Sequence, residues 1–243
     1  MKLSTIAKTS LALGILTTGI MTTNAQSVSA NNINESYRDV VNPENKYLHD
    51  YYLRPYYEYK KVSVFKKGNK AFLRSKGRLT NILLSGEDKN YYANGVKTHN
   101  LDVFTVQEEG NHRVHYSVGG LSRTNFTNIK NWKISIPARL YKSNETAQQE
   151  VDFNLNLEKQ QVTLKEIDFK LRRQLIKNAE LYVNGFKYGE IIINMKNGER
   201  HIIDLSQRLS YKKMGILLST QYISDIEAYI KKTNWAHRAD LNQ

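Results

Sequence analysis

Residues 159–182 read KQQVTLKEIDFKLRRQLIKNAELY, and this stretch decides the fold. Thr163 stands three residues before Glu166, the spacing of a capping box. The threonine hydroxyl accepts from the Glu166 N–H, and the glutamate is expected to reach back to the N–H of Thr163. Leu164, Ile167, Leu171 and Leu175 then recur at helical spacing, with Leu181 and Tyr182 just beyond. Lys165, Lys170, Arg173 and Lys177 fall between them, so the pattern predicts a helix with one buried and one wet face. About 18 residues at roughly 1.5 Å each span about 27 Å, enough to cross one small domain and touch a second.

Working outward, the strand signals fall in two groups. Before the helix, Tyr47, Tyr51 and Tyr52 follow Pro43 at near-helical spacing and predict a short helix. Tyr57 and Tyr59 open a strand that runs through Val62, Val64 and Phe65. These tyrosines are read as packing residues, with an exposed protein-binding cluster as the alternative. Further short strands are expected at 71–73, 79–84, 103–107 and 114–118, separated by Gly and Asn turns, as in a small barrel. The polar run 125–133 reads as a crossover. Beyond it strands are expected at 134–141 and 151–157. Past the helix, 191–195 pairs with 201–205 through Lys196-Asn197-Gly198, and a short helix near 219–222 precedes a closing strand at 226–230.

The helix segment also carries a resemblance. Lys159, Val162, Ile167, Asp168, Arg172, Leu175, Leu181 and Tyr182 stand at the spacing of the signature shared by staphylococcal and streptococcal superantigen toxins. A second signature of those toxins resembles Val118, Gly119, Gly120, Leu121, Ser122 and Asn125. Val118 stands where the toxins carry Tyr, Ser122 where they carry Thr, and the Asn is shifted to Asn125 or Asn128. The chain is therefore more similar to the staphylococcal superantigen-like proteins than to the T-cell-activating superantigens. That resemblance implies an α+β fold of two domains, an N-terminal OB-fold β-barrel and a C-terminal β-grasp with a long central helix. The implied division is residues 31–128, with an N-terminal tail and short helix, and residues 129–243.

Residues 1–30 read as a signal peptide. Lys2 and Lys8 precede an apolar run over 11–20, and Val28-Ser29-Ala30 offers small residues for cleavage after Ala30. The apolar run is too short and too interrupted to span a membrane. A secreted, extracellular product without cysteine draws its stability from its core rather than from disulfides. The formal net charge is +13. Loss of the two leader lysines leaves about +11, which favours anionic partners. The cations are spread along the chain, which argues against nucleic acid.

No chemistry is written into the sequence. It has no Cys and no GxSxG elbow for a nucleophile. His112 and His115 would point to opposite faces of a strand, as would His201 and Asp204, so no metal site is expected. Asn125-Phe126-Thr127 and Asn144-Glu145-Thr146 match the glycosylation pattern by chance, and no cofactor is expected. The resemblance implies a non-enzymatic immune-evasion protein that binds a host immune protein or a leukocyte receptor. A lectin-like binder of sialylated glycans and a T-cell superantigen are the alternatives. A glycan or partner site would follow Tyr182, with Asn184, Lys187, Tyr188, Arg200 and Lys212 as candidates and the last four forming a basic rim. A monomer or weak homodimer is expected.

Overall fold

The computed structural model of the chain describes residues 41–232 except 76, 87, 109–113, 126–131 and 145–146. The leader with its cleavage site, most of the crossover, His112, Asn128, Trp235 and His237 lie outside the described residues.

Thr163 caps the long helix α3 (Leu164–Ala179) from extended backbone, its Oγ1 accepting from the Glu166 N–H at 3.2 Å. The reciprocal half of the expected capping box does not form. The Glu166 carboxylate takes Lys159 Nζ at 2.8 Å and Lys170 Nζ at 2.7 Å instead. Two full positive charges outbid one neutral N–H for a carboxylate. The helix ends where Glu180 turns left-handed, φ 60.

Before α3, a 3₁₀ turn (Pro43–Asn45) leads into α1 (Lys46–Leu53), and six strands follow. They are β1 (Tyr56–Lys67), β2 (Lys70–Ser75), β3 (Arg78–Leu83), β4 (Lys97–Val106), β5 (His115–Val118) and β6 (Leu121–Arg123). Their order in the sheet is β5-β3-β2-β1-β4-β6. It closes where the Glu108 N–H donates to the Tyr116 carbonyl at 2.8 Å and the Phe104 N–H to Gly120 at 2.8 Å. Gly120 sits at φ 90, and any Cβ there would strike the Phe104 carbonyl, so this crossing needs glycine. One short helix, α2 (Asp88–Tyr91), precedes β4. The interior packs Val64, Leu73, Ile82, Leu101, Val103 and Leu121.

The second sheet combines β7 (Ile134–Ser143), β8 (Gln148–Leu157), β10 (Tyr188–Met195), β11 (Arg200–Asp204) and β13 (Ile223–Lys231). Its order is β11-β10-β13-β7-β8. β13 and β7 run parallel and the other neighbours antiparallel. A short ladder joins β9 (Gln161–Thr163) to β12 (Leu217–Ser219).

α3 fills the space between this sheet and the barrel, and its expected wet face is mostly absent. Ile167, Leu171 and Leu175 are buried as the pattern requires, but Lys165 and Arg172 are buried too, and Lys170 is largely covered. Of the four cations expected on the wet face, only Lys177 is exposed. The physical reason is a second wall. Phe169 meets Tyr51, Tyr52, Tyr56 and Phe104 with ring centroids 5.4–5.9 Å apart, which places α1 and two barrel strands over the polar side of the helix.

Every charge drawn into that interface has partners. Arg172 Nε donates to Asp168 at 2.6 Å, and the rest of its guanidinium reaches Tyr182 Oη and the carbonyls of Asp204 and Leu205. Tyr52 Oη completes the cluster on Asp168 at 2.7 Å. Lys165 Nζ donates to Ser117 Oγ and the Val118 carbonyl of the barrel. Burial brings this ammonium down to about 8, against the pull of Glu108. Lys170 bridges Glu166 to Glu58 on β1.

Burial alone would push the Glu166 carboxyl up, but Lys159 and Lys170 outweigh it and hold it at about 2. Its folded value lies below the ordinary 4.5, so its contribution is whole above that pH and is lost as pH falls toward 2. Glu166→Gln is expected to cost about 3 kcal/mol at neutral pH by leaving buried ammonium groups under-compensated. Urea unfolding of both chains across this range should show the difference shrinking on acidification. A difference that stays flat contradicts the assignment.

Candidate functional site

The sequence-expected site residues begin where α3 gives way to β10. Val183-Asn184-Gly185-Phe186 forms a tight turn with φ 51 at Asn184 and φ 86 at Gly185, the Phe186 N–H donating to Val183 at 2.9 Å. Two successive positive φ values are the geometry that Asn-Gly supplies with least strain. Asn42 stitches the turn from outside, donating its N–H to the Tyr182 carbonyl and accepting from the Gly185 N–H.

Parallel pairing then brings distant lysines to the same place. Because β7 and β13 run the same way, Ser143 and Lys231 are in register at the end of the sheet, and Lys142 lies beside Ile230. Tyr188 of β10 pairs with Lys231 at that same end. Lys231, next to the inward-facing Ile230, lies on the other face of the strand, whereas Lys142, Lys187 and Lys232 gather around the turn. Phe186 lies buried among them, with Lys142 Nζ 4.2 Å and Lys232 Nζ 4.9 Å from its ring centroid. Ammonium groups over an aromatic face gain from the ring quadrupole.

Two carboxylates temper the charge. Glu180 holds Lys142 and accepts from Asn184 Nδ2 at 2.9 Å, and Glu44 holds Lys187 at 2.6 Å. Lys142 keeps the Glu180 carboxyl below its usual range, with Asn184 assisting. Lys187 does the same for Glu44 and is itself raised by that hydrogen bond. Lys187 also lies 5.4 Å from the Tyr188 ring centroid. The arrangement can pair with carboxylate, sulfate or phosphate oxygens by charge and hydrogen bonding.

Of the five expected site residues, Asn184, Lys187 and Tyr188 come together and two do not. Arg200 is in register with Asn194, six residues along β10 from Tyr188, about 20 Å away at roughly 3.4 Å per residue. Lys212 lies in the 3₁₀ turn Tyr211–Lys213, its carbonyl backed against Gly86 of the barrel side. The basic rim expected from Lys187, Tyr188, Arg200 and Lys212 is thus not one surface. The hairpin reverses at the far end of the sheet and takes Arg200 with it. Lys142, Lys232 and Phe186 escaped the sequence reading, because the two lysines come to the ring only through the β7–β13 pairing.

The toxin signature residues are structural. Val162, Ile167, Leu175, Leu181 and Tyr182 are at most 2 % exposed, and Lys159, Asp168 and Arg172 are buried in the ion pairs above. Among the described residues no cluster of three or more His, Asp or Glu side chains is arranged to hold a metal, and no helix is long and apolar enough to cross a membrane.

Comparison with known proteins agrees with this architecture at both ends. Residues 46–125 match the staphylococcal superantigen-like OB-fold domain, and residues 136–230 match the β-grasp domain of staphylococcal/streptococcal toxins. The chain belongs to the staphylococcal superantigen-like family. Staphylococcal superantigen-like 7 of Staphylococcus aureus strain Newman is 35% identical over 238 residues, covering 96% of this chain and all of the relative. The solved structure of staphylococcal superantigen-like protein 4 superposes with a TM-score of 0.71 at 33% identity, over 79% of this chain and all of that one. A second, superantigen-like protein SSL5 from the same family, was solved in complex with sialyl Lewis X; it gives a TM-score of 0.69 at 28% identity, over 75% of this chain and 97% of that one. The fold is an OB-fold barrel followed by a β-grasp domain, and neither matched family is an enzyme family.

Lys142→Ala should release Glu180, so that its carboxyl titrates closer to the ordinary range in an NMR pH titration. Lys187→Ala should leave Glu180 where it is, because that lysine pairs with Glu44. Equal effects of the two substitutions would contradict the pairing.

Proposed function

We propose that this superantigen-like protein is secreted and non-enzymatic, and that it binds a host innate-immune protein or a leukocyte surface receptor and perturbs it. On this reading residues 1–30 are removed as a leader, 31–128 and 129–243 are the two domains, and the mature chain acts as a monomer or weak homodimer. The observation that carries the proposal is the lysine cluster around Phe186, a preformed cationic surface at the end of the β-grasp sheet. The overall positive charge adds long-range attraction toward acidic partners.

A second reading has its own support. The superantigen-like protein SSL5 was crystallised with sialyl Lewis X, and the cluster around Lys187 and Tyr188 offers ammonium and hydroxyl groups suited to a sugar carboxylate. Arg200 and Lys212 take no part in that reading. Glycan recognition here would use the lysines at the shared end of β7 and β13.

Binding of the labelled chain to neutrophils before and after sialidase treatment separates the two. Recognition of a protein epitope predicts that binding survives sialidase and falls with Lys187→Ala and Lys232→Ala together. Loss of binding on desialylation would move the assignment to the glycan. Binding that neither treatment changes would remove the lysine cluster from the function.

A further inference from the structure

A second site lies on the barrel, away from the lysine cluster. A cleft of about 640 Å³ opens between the end of α2, the start of β4 and the end of β6. That volume lies within the roughly 300–1,000 Å³ of small-molecule sites. Its walls include Lys61, Tyr91, His99, Asn100, Arg123 and Thr124.

The backbone is bent to build it. The β1–β4 ladder slips on both sides of Val62, and Lys61 and Asn100 adopt left-handed backbone, φ 55 and 58. Lysine gains nothing locally from that conformation, so something must hold it there. The buried Asp102 does, accepting from the Lys61 N–H at 2.9 Å and from Thr124 Oγ1 at 2.7 Å. Bulges of this kind re-aim side chains beside binding sites.

The groups presented are an aromatic face and cations. Tyr91 is 45 % exposed, and the Arg123 guanidinium lies 5.2 Å from its ring centroid. Among the described residues, no carboxylate lies within ion-pair distance of Lys61 or Arg123, in contrast to Lys142 and Lys187. His99 meets Ser63 Oγ through Nδ1 at 2.7 Å, which leaves its Nε2 for a ligand. The floor is fixed to the β-grasp side: the Arg123 N–H donates to Gln161 Oε1, and Asn125 Oδ1 accepts from the Gln160 N–H. A preset site of this kind loses little freedom when it binds.

We propose that this cleft binds an anionic saccharide unit, with the ring face on Tyr91 and its carboxylate or sulfate held by Arg123 and Lys61. A single exposed ring offers a stacking platform of sugar size. The planar guanidinium, which lies over one face of the ring and leaves the other for the sugar, suits a two-oxygen anion, and the Asn100 amide and Thr124 hydroxyl oxygen can pair with sugar hydroxyls. The two anion sources, sialylated and sulfated sugars, share this chemistry.

The test is a calorimetric titration of the full chain with 3′-sialyllactose, a heparin-derived disaccharide, lactose and inorganic sulfate. One or both anionic sugars should bind, with lactose and sulfate at least roughly tenfold weaker. Whichever of the two binds identifies carboxylate or sulfate as the recognised group. Tyr91→Ala and Arg123→Ala should each weaken binding roughly tenfold, while Tyr91→Phe retains it and Arg123→Lys retains only part. Lys61→Glu, at an exposed position, should also weaken binding without changing the melting temperature. Lys187→Ala should have no effect, so failure here and failure of the proposed function are separate results. Binding of neither sugar, binding of sulfate alone as strongly as the sugars, or binding indifferent to Tyr91 and Arg123 would overturn the proposal.

Discussion

The Arg172–Asp168 ion pair, sealed inside the protein at 2.6 Å, is the interaction on which the rest of the structure depends. The Arg172 guanidinium makes four hydrogen bonds, to Asp168, Tyr182 and two carbonyls at the end of β11, and Tyr52 of α1 closes the carboxylate from the other side. One helix face is thereby tied to the β-grasp sheet, to the connection leading into β10 and to the N-terminal helix. Removing any one partner would strand a buried charge or polar group, which costs far more than the net worth of the bond. Tyr182 shows the strength of this constraint. It holds φ 70, an unusual conformation for an aromatic residue, with its hydroxyl bonded to Arg172 and Leu205 and its N–H to Phe186.

The same helix reaches the barrel through Lys165, Phe169 and Lys170. Ser117, Val118, Phe104 and Glu58 are their partners, so the two folded units share α3 as a common wall. One continuous apolar cluster runs from Phe104 and Val106 of the barrel through α1 and α3 to Ile191, Ile193 and Ile226 of the β-grasp sheet. A surface built on either unit is held rigidly with respect to the other. That rigidity suits a protein that acts by presenting charge and aromatic groups in fixed places. The lysine cluster at the parallel end of the β-grasp sheet and the Tyr91 cleft on the barrel are two such places, one largely counterbalanced by carboxylates and one not.

Much of this was legible in the sequence where the signal is local. Thr163 and the leucines after it mark the helix start, the turn at Lys196-Asn197-Gly198 sets the register Ile193↔His201, and Tyr51 with Tyr52 announces a buried short helix. The missing information was about what covers what. Period alone made Lys165 and Lys170 wet, because nothing in their spacing records that barrel strands lie over them. Arg200 looked close to Lys187 along the chain, yet an antiparallel hairpin sends it to the opposite end of the sheet. Lys142 and Lys232 are ninety residues apart and reach the same Phe186 ring only through a parallel pairing. The cleft was hidden for a different reason: a three-residue strand, a one-turn helix and two left-handed residues carry no periodic pattern.

Native-state hydrogen exchange across the full chain tests the shared wall most directly. If α3 joins both units, the slowest amides of β4 in the barrel, of α3, and of β10 in the β-grasp sheet exchange through one global opening, with a common free energy and a common dependence on denaturant. Asp168→Ala then lowers all three together. Barrel amides that open at a distinctly lower free energy, or that ignore the loss of Asp168, would contradict it.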